Sequence, residues 1–167
     1  GTVVQAFTGE AYQKVDAKGR MSIPAPYRRV LETGDPEWTA GRTPKMQVIY
    51  GAHLKDALHA YTVEEYDRIV AQINAMPRGD KNRAKLNYLM VTQSATLDVD
   101  KDGRIIMPLY MRQKLGIEEG EIYFRGMGDH FEMWKSETFK VEVVDEITEW
   151  LQEQEEGFDP LSLLGGT

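Results

Sequence analysis

The sequence predicts a mixed, β-rich fold with helices, built from two tandem βαββ-like halves. Three observations predict it. Residues 16–31 return at 100–115, with six of sixteen positions identical. Each copy is followed by two short apolar runs and then an amphipathic stretch at helical spacing. Each copy also opens on a glycine turn between two strand-like segments. Hydrophobic residues make up 41% of the 167, enough for a folded core.

In the first half, Gln13 to Asp16 and Met21 to Ile23 flank Lys18-Gly19 and read as a hairpin with glycine at positive φ. Pro24 ends the second strand, and a short helical turn carries Arg28. Glu32 to Lys45 contains Gly34, Pro36, Gly41 and Pro44 and reads as a surface loop. Two short apolar runs follow, Met46 to Tyr50 and Leu58 to Tyr61. Thr62-Val-Glu-Glu65 is a capping box, with Tyr66, Ile69, Val70 and Ile73 on one helical face.

A helix from about Asp80 to Val91 joins the halves. The second half repeats the plan. Ala95 to Val99 and Arg104 to Met107 flank Asp102-Gly103, Pro108 ends the strand, and Gly116 suits a helix C-cap. The two apolar runs are Glu121 to Phe124 and His130 to Trp134. Ser136 can cap a closing helix whose buried stripe is Phe139, Val143, Val144, Ile147, Trp150 and Leu151. The expected boundaries are 7–76, 77–94, 95–151 and an acidic, flexible tail at 152–167. Neither half can bury its apolar face alone, so the two should interleave into one pseudo-two-fold, barrel-like core.

Charge is distributed unevenly. The chain carries −7, but residues 137–167 hold nine acids and one base. The remaining 136 residues are therefore close to neutral, which permits local basic patches. The absence of cysteine removes disulfides and thiolate chemistry and fits a reducing compartment. No apolar run approaches a membrane span, and no secretory leader is expected.

The recurring chemistry is Asp-x-x-Gly-Arg. Asp16 and Arg20, like Asp100 and Arg104, have the spacing of a salt bridge that pins a turn. The functional reading is a pair of related loops, each presenting an arginine that its aspartate orients. Arginine suits bidentate contact with phosphate or guanine. Asp98-Val-Asp100-Lys-Asp102-Gly103 opens like a calcium loop, but Leu109 stands where a bidentate glutamate is required. His53, His59 and His130 lack metal-ligand spacing, and no metal or cofactor is expected. No nucleophile elbow or glycine-rich phosphate loop occurs, so an enzyme is not expected.

Tyr12 to Arg28, together with Leu97 to Pro108 and His130-Phe-Glu-Met-Trp134, resembles the MraZ family of bacterial regulators. A single copy would indicate only the wider AbrB/SpoVT/MazE-like superfamily. The resemblance covers roughly Phe7 to Leu151. It implies an AbrB-like swapped-hairpin barrel completed within one chain. It also implies a cytoplasmic, nucleoid-associated transcriptional regulator of the division and cell-wall gene cluster. Such a protein would bind promoter direct repeats in double-stranded DNA as a ring-shaped homo-oligomer, with no membrane or small-molecule partner. The DNA contacts it implies are Arg20 and Arg104, oriented by Asp16 and Asp100, with Lys18 on phosphate. In the mechanism these residues suggest, Lys18, Arg28 and Arg29 position the DNA backbone, and Lys101 is a further candidate DNA contact. The family's lysine has no match at Asp102, so the second loop should hold phosphate more weakly. The alternative is an antitoxin-type module that binds a protein partner, to which an acidic tail could contribute.

Overall fold

The computed structural model describes residues 6–165. Its first half comprises β1 (Glu10–Val15), β2 (Arg20–Ser22), α1 (Ala25–Thr33), β3 (Lys45–Ile49), β4 (Ala57–Thr62) and α2 (Val63–Asn74). A connecting helix, α3 (Lys81–Leu86), widens into a π-helical turn at Asn87–Thr92. The second half comprises β5 (Ser94–Asp98), β6 (Arg104–Ile106), α4 (Leu109–Leu115), β7 (Gly120–Gly126) and β8 (Phe131–Lys135). The chain closes with α5 (Ser136–Phe139), a π-helical turn at Lys140–Val144, α6 (Asp145–Gln152) and a 3-10 turn at Pro160–Gly165. Among the described residues, no helix is long and apolar enough to cross a membrane.

Six strands form one antiparallel sheet in the order β1-β7-β8-β4-β3-β5, and β2 pairs with β6 in a separate two-stranded ribbon. This pairing corrects the expected hairpins. β1 and β2 are joined by a tight turn, but each then pairs with a strand of the other half. The turn is closed locally by Asp16 N–H to the Arg20 carbonyl and Gly19 N–H to the Asp16 carbonyl. Beyond it, β1 runs along β7, while β5 runs along β3. Each half thus lends its first strand to the other, which is how two short apolar faces come to share one core.

The two halves meet about a pseudo-two-fold axis. In the ribbon Met21 pairs with Ile105, its own counterpart in the repeat. In the sheet His59 pairs with Glu132, which also occupy corresponding positions. Between ribbon and sheet lies the core, with Met21, Ile23, Ile105 and Met107 packed together with Phe7, Tyr27, Phe124 and Phe131. Alternation explains the ribbon: Met21 and Ile105 turn inward, while their strand neighbours face out.

The expected helix signals are present. Thr62 Oγ1 accepts from Glu65 N–H at 3.1 Å, and Gly116 adopts φ 76° at the end of α4. Ile73 is buried, with Tyr66, Ile69 and Val70 half-buried beside it. The Glu32–Lys45 connection departs from a simple surface loop. Asp35 is buried within it and accepts from the backbone N–H groups of Glu37 and Lys45, both at 3.0 Å. A carboxylate used this way satisfies backbone donors that a loop of this length would otherwise leave to water.

Backbone contacts define two compact units, residues 1–136 and 137–167. The second unit overturns the expected buried stripe. Phe139 is buried, but Val144, Ile147, Trp150 and Leu151 are all exposed. The segment expected to be a flexible tail is partly organised: Phe158 meets Trp150 edge-on at 5.4 Å, ahead of the 3-10 turn. Val144, Ile147 and Leu151 keep helical spacing, so the apolar stripe is present but uncovered.

Candidate nucleic-acid interface

The β2–β6 ribbon carries the predicted arginines. Arg20 pairs with Ile106, and Ser22 with Arg104, so all four belong to the outward face. The two arginines are diagonal neighbours across the strands, a separation of roughly 7–8 Å at the backbone. They flank the pseudo-two-fold axis and line one hollow with Lys14, Asp16, Glu119 and Glu121.

Each arginine stands on a turn built by its aspartate. Asp16 Oδ1 accepts from the backbone N–H of Lys18 at 3.0 Å and of Arg20 at 2.9 Å. Its Oδ2 accepts from Arg20 Nε at 2.7 Å. Those bonds, the Arg20 backbone N–H first, hold the Asp16 carboxyl below its usual range. Arg20 therefore spends Nε on orientation and keeps the outer edge of its guanidinium, in a side chain 54% exposed, for another partner.

The second turn has the same backbone but a different arginine. Asp100 Oδ1 accepts from Asp102 N–H and Arg104 N–H, both at 2.9 Å, which likewise lowers its carboxyl pKa, the Arg104 bond most. Yet Arg104 Nε stands 3.8 Å from Asp100, while Nη2 donates to Asp102 at 3.3 Å. Asp102 occupies the place of Lys18. That one difference turns a cation beside the first arginine into an anion that engages the second.

The glycines are required by geometry. Gly19 has φ 87°, and a Cβ there would lie 2.3 Å from the Met107 carbonyl oxygen. Gly103 has φ 79°, and its Cβ would collide with the Arg28 guanidinium. The close approach is reciprocal: Met107 N–H donates to the Gly19 carbonyl at 2.7 Å, and Ile23 N–H to the Gly103 carbonyl at 2.8 Å. Each half's turn is thus clipped to the strand end of the other.

The remaining predicted residues divide. Lys18, Arg29 and Lys101 are exposed. Arg28 is not a free surface cation: it is half-buried against Gly103, and its buried Nε has no hydrogen-bond partner. Its repeat counterpart, Arg112, is buried outright. Arg112 Nε donates to the Met107 carbonyl at 3.1 Å, and Nη1 to the carbonyls of Ala17 (3.1 Å) and Glu118 (3.0 Å). Arg28 and Arg112 brace the turns from behind.

Sequence reasoning missed Ser22 and Ile106. Both belong to the exposed ribbon face, but only the cross-strand register places them there. It also missed a cluster on the sheet, where His59, His130 and Glu132 bring one nitrogen or oxygen each within 4.8 Å of one another. His59 and Glu132 face each other across β4 and β8, and His130 immediately precedes β8. The residue-two spacing of His130 and Glu132 was the only sequence signal, since alternate strand residues share a face.

A family model described as "MraZ protein, putative antitoxin-like" matches residues 6–87 and 90–156. The chain is 42% identical over 164 residues to a protein of Ruegeria pomeroyi named "Transcriptional regulator MraZ", covering 98% of both chains. A protein of the same name from Ruegeria sp. strain TM1040 is 41% identical, over 96% of this chain and 95% of its own. Another, from Cereibacter sphaeroides strain ATCC 17025, is 40% identical over 99% of both. Two matched segments that together span both repeats, and relatives aligned end to end, establish that this chain belongs to the MraZ family.

Proposed function

We propose that this protein is a DNA-binding transcriptional regulator, without enzymatic activity, that reads its site with the β2–β6 ribbon. The observation that carries the reading is the placement of Arg20 and Arg104 on one outward ribbon face, about the axis that relates the halves. The major groove admits a two-stranded β-ribbon, and arginine pairs with guanine O6 and N7 through two parallel hydrogen bonds. Arg20 is the principal base contact. Asp16 fixes its plane, as a bidentate contact requires. Arg104, drawn to Asp102, is the weaker one. Ser22 adds a small donor, and Ile106 an apolar surface for a thymine methyl.

Lys18, Lys101 and Arg29 serve phosphates, and Arg28 chiefly supports the turn. So few cations give one protomer weak, salt-sensitive binding. Affinity then comes from a ring of protomers engaging direct repeats, where each bound loop raises the effective concentration of the next. The exposed Ile147 and Leu151 face on α6 supplies apolar surface for contacts between subunits. The repeats belong to the promoter of the bacterial division and cell-wall gene cluster, and the protein acts in the cytoplasm on the nucleoid. The wording "antitoxin-like" in the family description favours one second reading, a module that neutralises a protein partner through the same α6 face.

The test is fluorescence anisotropy on DNA upstream of the protein's own gene, beside a scrambled duplex, at two salt concentrations. Wild type should bind the promoter selectively, and more weakly at the higher salt. Arg20→Ala should lose selective binding with its oligomer intact. Normal binding by Arg20→Ala refutes the site. No binding by assembled wild type moves the protein-partner reading to first place.

A further inference from the structure

The cluster at the centre of the sheet has no part in the DNA reading, and its hydrogen bonding is incomplete. Glu132 is buried, 4% exposed. Its Oε1 accepts from Arg125 Nε and Trp134 Nε1, both at 2.8 Å. Its Oε2 points between two imidazoles, 3.4 Å from His59 Nε2 and 3.6 Å from His130 Nε2. The His130 contact is too long for a hydrogen bond, and His130 Nε2 is a buried nitrogen without a hydrogen-bond partner.

The tautomer of His130 sharpens the problem. His130 Nδ1 lies 2.7 Å from an Asp129 carboxylate oxygen, and an ionised carboxylate only accepts. Nδ1 therefore carries a proton, which leaves Nε2 as the ring nitrogen that faces the Glu132 oxygen at 3.6 Å. A carboxylate oxygen and an imidazole nitrogen without a hydrogen bond meet in a buried place, where a proton on Nε2 or a metal cation balances the carboxylate. His59, stacked on His130 with ring centroids 4.6 Å apart, adds a third donor atom.

We propose that His59 Nε2, His130 Nε2 and Glu132 Oε2 form a binding site for a divalent transition-metal ion of zinc type. Zinc binds imidazole and carboxylate at about 2.0–2.2 Å, which sets tetrahedral ligand separations of roughly 3.3–3.6 Å. The two nitrogen-to-oxygen separations, 3.4 and 3.6 Å, match that edge. Asp129 holds the His130 ring in the ligating tautomer, a role carboxylates commonly play behind metal-bound histidine. Arg125 and Trp134 occupy the other Glu132 oxygen, leaving Oε2 as a single-atom ligand. One ligand comes from the first half and two from the second, so the ion would tie the halves together at the axis that relates them.

The experiment uses the full chain, free of any affinity tag and stripped with a chelator, titrated with zinc by calorimetry and with cobalt(II) by visible absorption. Expected are one ion per chain, tetrahedral cobalt bands and a melting temperature raised by zinc. His59→Ala and His130→Gln should each weaken binding at least 100-fold. Asp129→Asn should weaken it about 10–100-fold, the usual cost of losing such a support. Glu155→Gln with Glu156→Gln should leave it unchanged. The melting temperature without metal checks that each variant folds, and if one histidine variant does not, the other decides. Absence of saturable binding, or binding that survives loss of His59 and His130, overturns the proposal.

Discussion

Arg28 and Arg112 occupy the same place in the repeat, and the structure predicts different costs for truncating them. In Arg112→Ala, three bonds from a charged donor disappear. Each such bond contributes about 1.5–3 kcal/mol. Ala17 and Glu118 are exposed, so their carbonyls regain water, and most of their share is recovered. Met107 is fully buried, so its carbonyl loses this donor without replacement. The net loss is about 3 kcal/mol, one buried acceptor left short plus the lost packing. For a chain of this size that lowers Tm by roughly 6–12 °C. Arg28→Ala removes a side chain whose Nε is already unsatisfied, so the cost is about 1 kcal/mol. Urea unfolding at one fixed protein concentration measures both, since assembly would otherwise shift the midpoints. The midpoints should separate at unchanged slope. Equal losses, or a larger loss for Arg28→Ala, would refute the claim that hydrogen bonding to the opposite turn makes Arg112 the stronger brace.

Three other outcomes are expected. If Lys18 holds one phosphate, Lys18→Ala reduces the slope of log affinity against log salt by about 1 while leaving the preferred sequence unchanged; a changed preference would make Lys18 a base reader. In metal-free protein, His59 is depressed to about 4 by burial, so between pH 6.5 and 4 the unfolded chain binds a proton that the folded chain does not. Stability should fall through that window by roughly 3 kcal/mol more than in His59→Gln, read from urea midpoints; parallel pH profiles would show that His59 is not held neutral. Ile147→Asp with Leu151→Ser should lower the mass seen by light scattering, and an unchanged mass would exclude that α6 face from subunit contacts.

Local features were legible in the sequence because their causes are local. Gly19 and Gly103 announce positive φ, Thr62 announces a cap, and Asp16 with Arg20 announces a pinned turn. Strand partners were not legible. The alternation in β1 says which residues face inward but not that the neighbour is β7 rather than β2, since both choices bury the same side chains. For the same reason Ser22 and Ile106 joined the candidate interface only through register. His59 and His130 meet because β4 and β8 are central neighbours, a relation between distant segments that ligand spacing does not encode. The α6 stripe was found, but periodicity cannot say what an apolar face meets, and in the protomer it meets solvent.

The exchange of β1 and β5 has a further consequence. In an ordinary homodimer of such halves, every substitution appears on both sides of the axis, and the reading surface must stay symmetric. Joining the halves in one chain lifts that constraint: Lys18 in one half stands where Asp102 stands in the other, and half-buried Arg28 where Arg112 is buried. The ribbon therefore has two unlike ends, one arginine held by Asp16 and the other drawn to Asp102. If the ribbon reads DNA as proposed, a surface with a direction would select targets that also have one, repeated head to tail rather than inverted, before any neighbouring subunit is added.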